Sequence, residues 1–182
     1  MDRIFIQIAA YRDPELLPTI RDCIKKADHP ERLDFCIAWQ HNKDDAWDTL
    51  EEFHNHPNFN IIDLDSTSGL GTCWARHLLN TQYDQQKWML QLDSHHRFVK
   101  GWDTKCVAML DKLKSLGYDK PLISSYIASY NPLNDPQDRV KEVWKLNFDR
   151  FTPEGVVFML PANVDDITKY DAPIPTRFFS AH

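Results

Sequence analysis

"RIFIQIAAYRDPELLPTIRDCIKKADHPERLDFCIAWQH", Arg3 to His41, decides the fold. Arg3–Ala10 is apolar and β-favouring, which predicts a strand. Asp13 then stands before Pro14, a capping residue followed by the residue best tolerated in a first helical turn. Leu16, Leu17, Ile20, Ile24 and Ala27 recur at helical spacing behind them and leave Arg21, Asp22, Lys25 and Lys26 for solvent. Asp34–His41 reads as a second strand. Strand, helix and strand in immediate succession predict a parallel pair joined by a crossover helix.

The alternation continues down the chain. "DDAWDTLEEFHN", Asp44–Asn55, sets Trp47, Leu50 and Phe53 on one side of a short helix, and "FNIIDLD", Phe59–Asp65, is a third strand. "STSGLGTCWARHLLNTQY" offers a Ser/Gly-rich turn and a helix carrying Trp74, Ala75, Leu78 and Leu79. "KWMLQLD", Lys87–Asp93, is the fourth strand. Trp102, Cys106, Met109, Leu110, Leu113 and Leu116 define a longer helix that Gly117 ends, and "PLISSYIASY", Pro121–Tyr130, reads as a fifth strand. The pattern predicts an α/β fold, a mostly parallel sheet of Rossmann type flanked by helices. Beyond Asn131 "VKEVWKLNF" and "GVVFMLPANV" read as strands outside the repeating pattern, with Pro153, Pro161, Pro173 and Pro175 punctuating the tail. The 182 residues show no internal repeat and read as a single domain, 1–182.

Setting 21 basic against 27 acidic residues gives a net charge of −6, so no global field draws the protein onto nucleic acid or an anionic membrane. An anionic ligand must be held locally, by a helix N-terminus, a single arginine or a bridging cation. Cys23, Cys36, Cys73 and Cys106 are far apart and form no C-x-x-C pair, which argues against a structural zinc site or a disulfide framework. No run reaches membrane-spanning length, and the N-terminus passes directly into a strand, so the chain reads as cytoplasmic.

In an open α/β sheet, ligands sit beyond the carboxyl ends of the strands. Polar residues follow three of them, in "AAYRD", "DLDSTSGLG" and "LDSHHRF". The i, i+2 spacing of Asp93 and His95 points both side chains to one side, where a carboxylate oxygen and an imidazole nitrogen chelate Mn²⁺ or a similar ion better than Mg²⁺. The plainer alternative is a solvated turn in which Asp93 caps backbone amides, with His96 at the surface or behind the ligands. Arg12 and Asp13 either meet a nucleotide or serve as a solvated cation and a helix cap. Arg76, one turn into the helix opened by "SGLGTC", either clamps a phosphate or forms a surface ion pair. His54 and His56 match none of the common zinc spacings, and Trp47, Trp74, Trp88 and Trp102 read as core.

Taken in order, "IAAYRDPELLPTIRDC", "GLGTCWARHLLN" and "WMLQLDSHHRFVKGWD" resemble the GlcNAc-transferase family with the GT-A fold. Its best-known members are cytosolic enzymes acting on hydroxyproline of a ubiquitin-ligase adaptor. The resemblance runs from about Ile4 through Asp103 and weakly onward; a more distant similarity links Asp-x-His to the polypeptide N-acetylgalactosaminyltransferases. It implies that Asp93 and His95 hold Mn²⁺ or another divalent cation, and that the cation holds the diphosphate of UDP-GlcNAc. It implies further that Tyr11, Arg12 and Asp13 meet uridine, with Gln40 as a uracil candidate, and that Arg76 lies near the phosphates. Transfer to a protein or glycan hydroxyl, hydroxyproline or Ser/Thr among them, would proceed with retention, and no side chain presents itself as a general base.

Members usually continue past a segment like "RFFSAH" into a region with a "GEE"-like motif, which this sequence lacks. The resemblance therefore implies a C-terminally incomplete domain, with Val156–Leu160 ("VVFML") and Arg177–Ala181 ("RFFSA") partly uncovered. A nucleotide-sugar-binding module without turnover is the alternative function. A metal-dependent phosphohydrolase is a third, and the absence of an evident second carboxylate cluster weighs against it.

Overall fold

A computed structural model describes residues 2–176, and the chain is organised as two compact units, Met1–Cys106 and Val107–His182. The first contains β1 (Ile4–Tyr11), α1 (Leu16–Lys26), β2 (Leu33–His41), β3 (Phe59–Asp65), α2 (Thr72–Asn80) and β4 (Trp88–Asp93), and α3 (Trp102–Ser115) begins at its end. The strands form one four-stranded sheet in the order β3-β2-β1-β4, every pair parallel. The chain winds outward from β1 through β2 to β3, then returns to the far side of β1 as β4. Right-handed crossovers in opposite directions put α1 and α2 on opposite faces, and the reversal creates a switch point at the carboxyl ends of β1 and β4.

β1 is covered on both faces. Phe5 and Ala9 pack with Cys36 and Ala38 of β2 and with Ala75 and Leu79 of α2. The alternate set, Ile4, Ile6, Ile8 and Ala10, is also buried. This two-sided burial is why the strand is an apolar run apart from Gln7, whose buried amide donates to Asn80 Oδ1 at 3.0 Å. Removing Ile6 or Ile8 from water stabilises the fold by about 1.5–3 kcal/mol each.

The segment Gly101-Trp102-Asp103 closes the C-terminal end of α1 from 75 residues away. The Gly101 N–H donates to the Lys26 carbonyl at 2.7 Å and the Trp102 indole N–H to the Cys23 carbonyl at 2.9 Å. The Asp103 carboxylate accepts the N–H groups of Asp28 (2.8 Å) and His29 (2.9 Å). The two carbonyls belong to the last turn of α1, where a helix lacks intrahelical donors, and the two N–H groups lie just past it. Gly101 has φ +66°, and a Cβ there would lie 2.6 Å from Asp28 Oδ2, so glycine is required.

Two expected elements are absent. Asp44–Asn55 is not a helix: among the described residues it holds turns and the short 3-10 turn Glu51–Phe53. Asn42 Oδ1 takes the Asp44 N–H, the Asn42 carbonyl takes the Asp45 N–H, and Trp39 takes the Asp48 side chain, so local bonds compete with the helix ladder. Leu50 and Phe53 are still buried, whereas Trp47 is exposed. Pro121–Tyr130 is no strand, since its ladder contact is the single bridge of Tyr126 with Trp144. The parallel sheet therefore has four strands, and β4 is its edge.

The second unit carries β5 (Trp144–Phe151) and β6 (Val157–Asn163), an antiparallel pair irregular between Phe148 and Arg150. Val156, Phe158 and Leu160 are exposed, as expected of that stretch, together with Phe148 and Phe151; Arg177–Ala181 lies outside the described residues. No helix among the described residues is long and apolar enough to cross a membrane.

Asp103→Ala leaves two N–H groups without their acceptor and is expected to lower unfolding stability by about 1–3 kcal/mol. Asp103→Asn, which keeps one acceptor oxygen, should lose less. Urea denaturation measures both; wild-type stability in the alanine variant would mean that solvent satisfies Asp28 and His29 unaided.

Candidate functional site

Ala9 of β1 lies in register beside Asp93 of β4, so Tyr11–Asp13 and Ser94–Phe98 leave the sheet at the switch point together. The second segment is fastened to the first and to α1 residue by residue. Ser94 Oγ donates to Asp13 Oδ2 at 2.5 Å and His95 Nδ1 to the same oxygen at 2.8 Å. The His96 N–H donates to Thr19 Oγ1 at 2.8 Å, and that hydroxyl donates to the His96 carbonyl at 3.2 Å. Arg97 Nη2 donates to Glu15 Oε2 at 2.5 Å and the Phe98 N–H to Asp22 Oδ2 at 2.7 Å. Asp22, which helical spacing assigns to solvent, thus anchors the turn.

Asp93, the last residue of β4, accepts a hydrogen bond from Arg76 Nη2 at 2.7 Å on Oδ1, and its carbonyl accepts from His96 Nδ1 at 2.9 Å. His96 is buried. The His95 side chain is 60% exposed. Asp13 joins the two segments: Oδ2 receives Ser94 and His95, and Oδ1 receives the Glu15 N–H at 2.9 Å. Partial burial pushes the Asp13 carboxyl up, but the bonds from Ser94, His95 and Glu15 outweigh it and hold the group below its ordinary value. α1 itself starts at Leu16, so Asp13 and Pro14 form the turn ahead of it.

Arg12 and Gln40 lie toward β2. Arg12 has φ +44°, its N–H donates to the Gln40 carbonyl at 2.9 Å, and its guanidinium grips Asp45 at 2.7 and 3.1 Å. Gln40 is 4% exposed and donates to the Ala10 carbonyl at 3.2 Å. Its Oε1 abuts Gly69, where a Cβ would come within 2.5 Å. Tyr11 is 60% exposed. The structure thus links Asp13, Arg76, Asp93 and His95 through shared segments, holds Arg12 and Gln40 on the neighbouring strand, and leaves Tyr11 at the surface. His54 and His56 face Trp39 and Phe59, respectively.

Glu15, Thr19, Ser94, Arg97, Asp45 and Asp48 are the site residues that sequence reasoning misses. Only Thr19 leaves a signal, a hydroxyl on the buried side of α1. Among the described residues, no group of three or more His, Cys, Asp or Glu is disposed to hold a metal ion.

Asp48 is 9% exposed and accepts the Trp39 indole N–H at 2.6 Å. Burial raises its carboxyl above the ordinary 3.8, with Asp45 and Asp13 adding to the shift against the indole bond. A raised folded value means a contribution fully present below the unfolded value of 3.8 and lost as pH rises through the higher folded one. Wild-type stability relative to Asp48→Asn should therefore fall as pH rises from 3 to 7, about. Thermal melts across that range check the sign, and a flat difference would show that Asp48 is as well solvated folded as unfolded.

A family model described as Glycosyltransferase (GlcNAc) matches residues 3–56 and 48–182. Among solved structures, the crystal structure of S. aureus TarS 1-349 is similar at 15% identity, with a TM-score of 0.48, over 72% of this chain and 42% of that chain. This chain therefore spans less than half of that one. A comparison with curated proteins found no match. Since the family model takes in nearly every residue from 3 to 182, the chain belongs to the Glycosyltransferase (GlcNAc) family.

Proposed function

We propose that the chain binds UDP-GlcNAc with Mn²⁺ or another divalent cation at Asp93 and His95. It acts as the donor-binding part of a transferase that moves N-acetylglucosamine, with retention, to a protein or glycan hydroxyl. The observation that carries this reading is the two pairs at the switch point, Arg76 with Asp93 and His95 with Asp13, in a chain of this family.

The donor set fits such an ion. Asp93 offers a carboxylate oxygen, and His95, whose Nδ1 is engaged by Asp13, offers Nε2. One oxygen and one nitrogen suit Mn²⁺ better than Mg²⁺. Two protein donors leave the other positions to diphosphate oxygens and water. The cation supplies charge stabilisation of the departing diphosphate.

Arg76 is poised between Asp93 and an incoming phosphate, one turn from the start of α2, where anions are favoured. Tyr11, Arg12, Asp13 and Gln40 are assigned to the uridine end. Cys23, Cys36, Cys73 and Cys106 are free thiols, which suits a cytoplasmic enzyme.

Calorimetric titration of UDP-GlcNAc, UDP-GalNAc and UDP-glucose, with and without Mn²⁺, tests the donor. UDP-GlcNAc should bind tightest and only with the cation, and Asp93→Asn should abolish the cation-dependent part. Equal affinity with and without Mn²⁺ would overturn the metal assignment. Product analysis separates transfer from a module that binds and releases neither UDP nor glycosylated product. Arg76→Ala should weaken UDP roughly 10-fold or more, the loss of one charge-assisted contact, and leave uridine binding unchanged.

A further inference from the structure

We infer that Asp13 is a positioning residue for His95, fixing which imidazole nitrogen faces the ligand; the inference rests on the reading of His95 as a cation ligand. The geometry is specific. His95 Nδ1 lies 2.8 Å from Asp13 Oδ2, and a carboxylate has only lone pairs to offer, so Nδ1 must carry the proton. Whenever the ring is neutral, Nε2 is then its lone-pair nitrogen, the form that binds a metal. A carboxylate behind an imidazole also makes the ring a stronger donor and fixes its orientation.

Asp13 is itself held by two further bonds. Ser94 Oγ bonds Oδ2 at 2.5 Å, the Glu15 N–H bonds Oδ1 at 2.9 Å, and the Glu15 side chain pairs with Arg97 beyond. Apart from the stacked His96 ring 6.4 Å away, the side chain is largely solvated, 60% exposed, and the Asp13 contact is the one that fixes its tautomer. Asp13, 82 positions earlier in the chain, therefore does more for the ligand site than cap a helix.

The test has two readouts. ¹⁵N chemical shifts of the His95 ring in the metal-free protein, at a pH where the ring is neutral, should report the Nδ1–H tautomer in wild type. Asp13→Ala should shift it toward the Nε2–H form that an unpartnered imidazole prefers. Titration with Mn²⁺ alone should show roughly 10- to 100-fold weaker binding in Asp13→Ala, the usual effect of losing a partner behind a ligand. Circular dichroism checks that the variant is folded. If it is not, Asp13→Asn, which keeps an oxygen for the Glu15 N–H, decides in its place with an expected loss nearer 10-fold. A folded variant that binds Mn²⁺ as tightly as wild type, or a wild-type His95 protonated on Nε2, overturns the inference while the metal reading stands. Wild-type protein that binds no Mn²⁺ overturns the metal reading and this inference with it.

Discussion

The fastening of Ser94–Phe98 onto Asp13–Asp22 is the constraint on which the site depends. A turn leaving an edge strand has little of its own to hold it, and ordering each backbone residue costs about 1–2 kcal/mol. Here each of Ser94, His95, His96, Arg97 and Phe98 has a partner on Asp13, Thr19, Glu15 or Asp22. Thr19 is fully buried, and its single hydroxyl both accepts from and donates to the His96 backbone. The turn is therefore shaped by the protein before any ligand arrives, which is what a site needs if binding is not to carry the ordering cost.

The other wall of the switch point is the end of β1, and its shape comes from backbone strain. Arg12 sits at φ +44°, a left-handed conformation that costs a non-glycine residue about 1–3 kcal/mol. It is over-determined by its N–H bond to the Gln40 carbonyl and by the two-pronged grip on Asp45. The consequence is a division of labour between neighbours. Arg12 is committed toward β2 and the loop beyond it, while Asp13 is committed toward β4. Because β1 is buried on both faces, neither commitment can drift with the strand.

β1, β2, β3, β4 and their crossover helices were legible because burial imposes runs and periods that survive in sequence: "IFIQIAA" and "FCIAW" need cover on both sides, and α2 repeats its apolar residues once per turn. Asp44–Asn55 was not, because Trp47, Leu50 and Phe53 keep a helical spacing while Asn42, Asp45 and Trp39 draw the backbone and the Asp48 side chain into other bonds. Pro121–Tyr130 has strand composition, but a strand exists only by pairing, and its partner was not written in its own residues. The site divided in the same way. The spacing of Asp93 and His95 at a strand end marked them as candidates, whereas Asp13 read as a nucleotide contact or a cap, Asp22 as solvated face, and Glu15 gave no signal, because their partners lie 76 to 82 positions away.

The charges explain why a protein of net −6 can carry so many carboxylates at the strand ends. Asp45 is answered by Arg12, Asp93 by Arg76, and Asp13 by Ser94, His95 and the Glu15 N–H. Asp48 has the Trp39 indole. These carboxylates are thus hydrogen-bonded from within, and a bare diphosphate, itself an acceptor, would meet donors already engaged. Under the proposed reading, a divalent cation at Asp93 and His95 changes that balance. It takes over the neutralisation of Asp93, so that the Arg76 guanidinium can turn from the carboxylate to a phosphate oxygen. Cation and anion would then each improve the site for the other, which is positive coupling between two ligands built from one shared arginine. Under that reading the Asp93–Arg76 pair is the arrangement each side chain leaves when the cation and the phosphate become their partners.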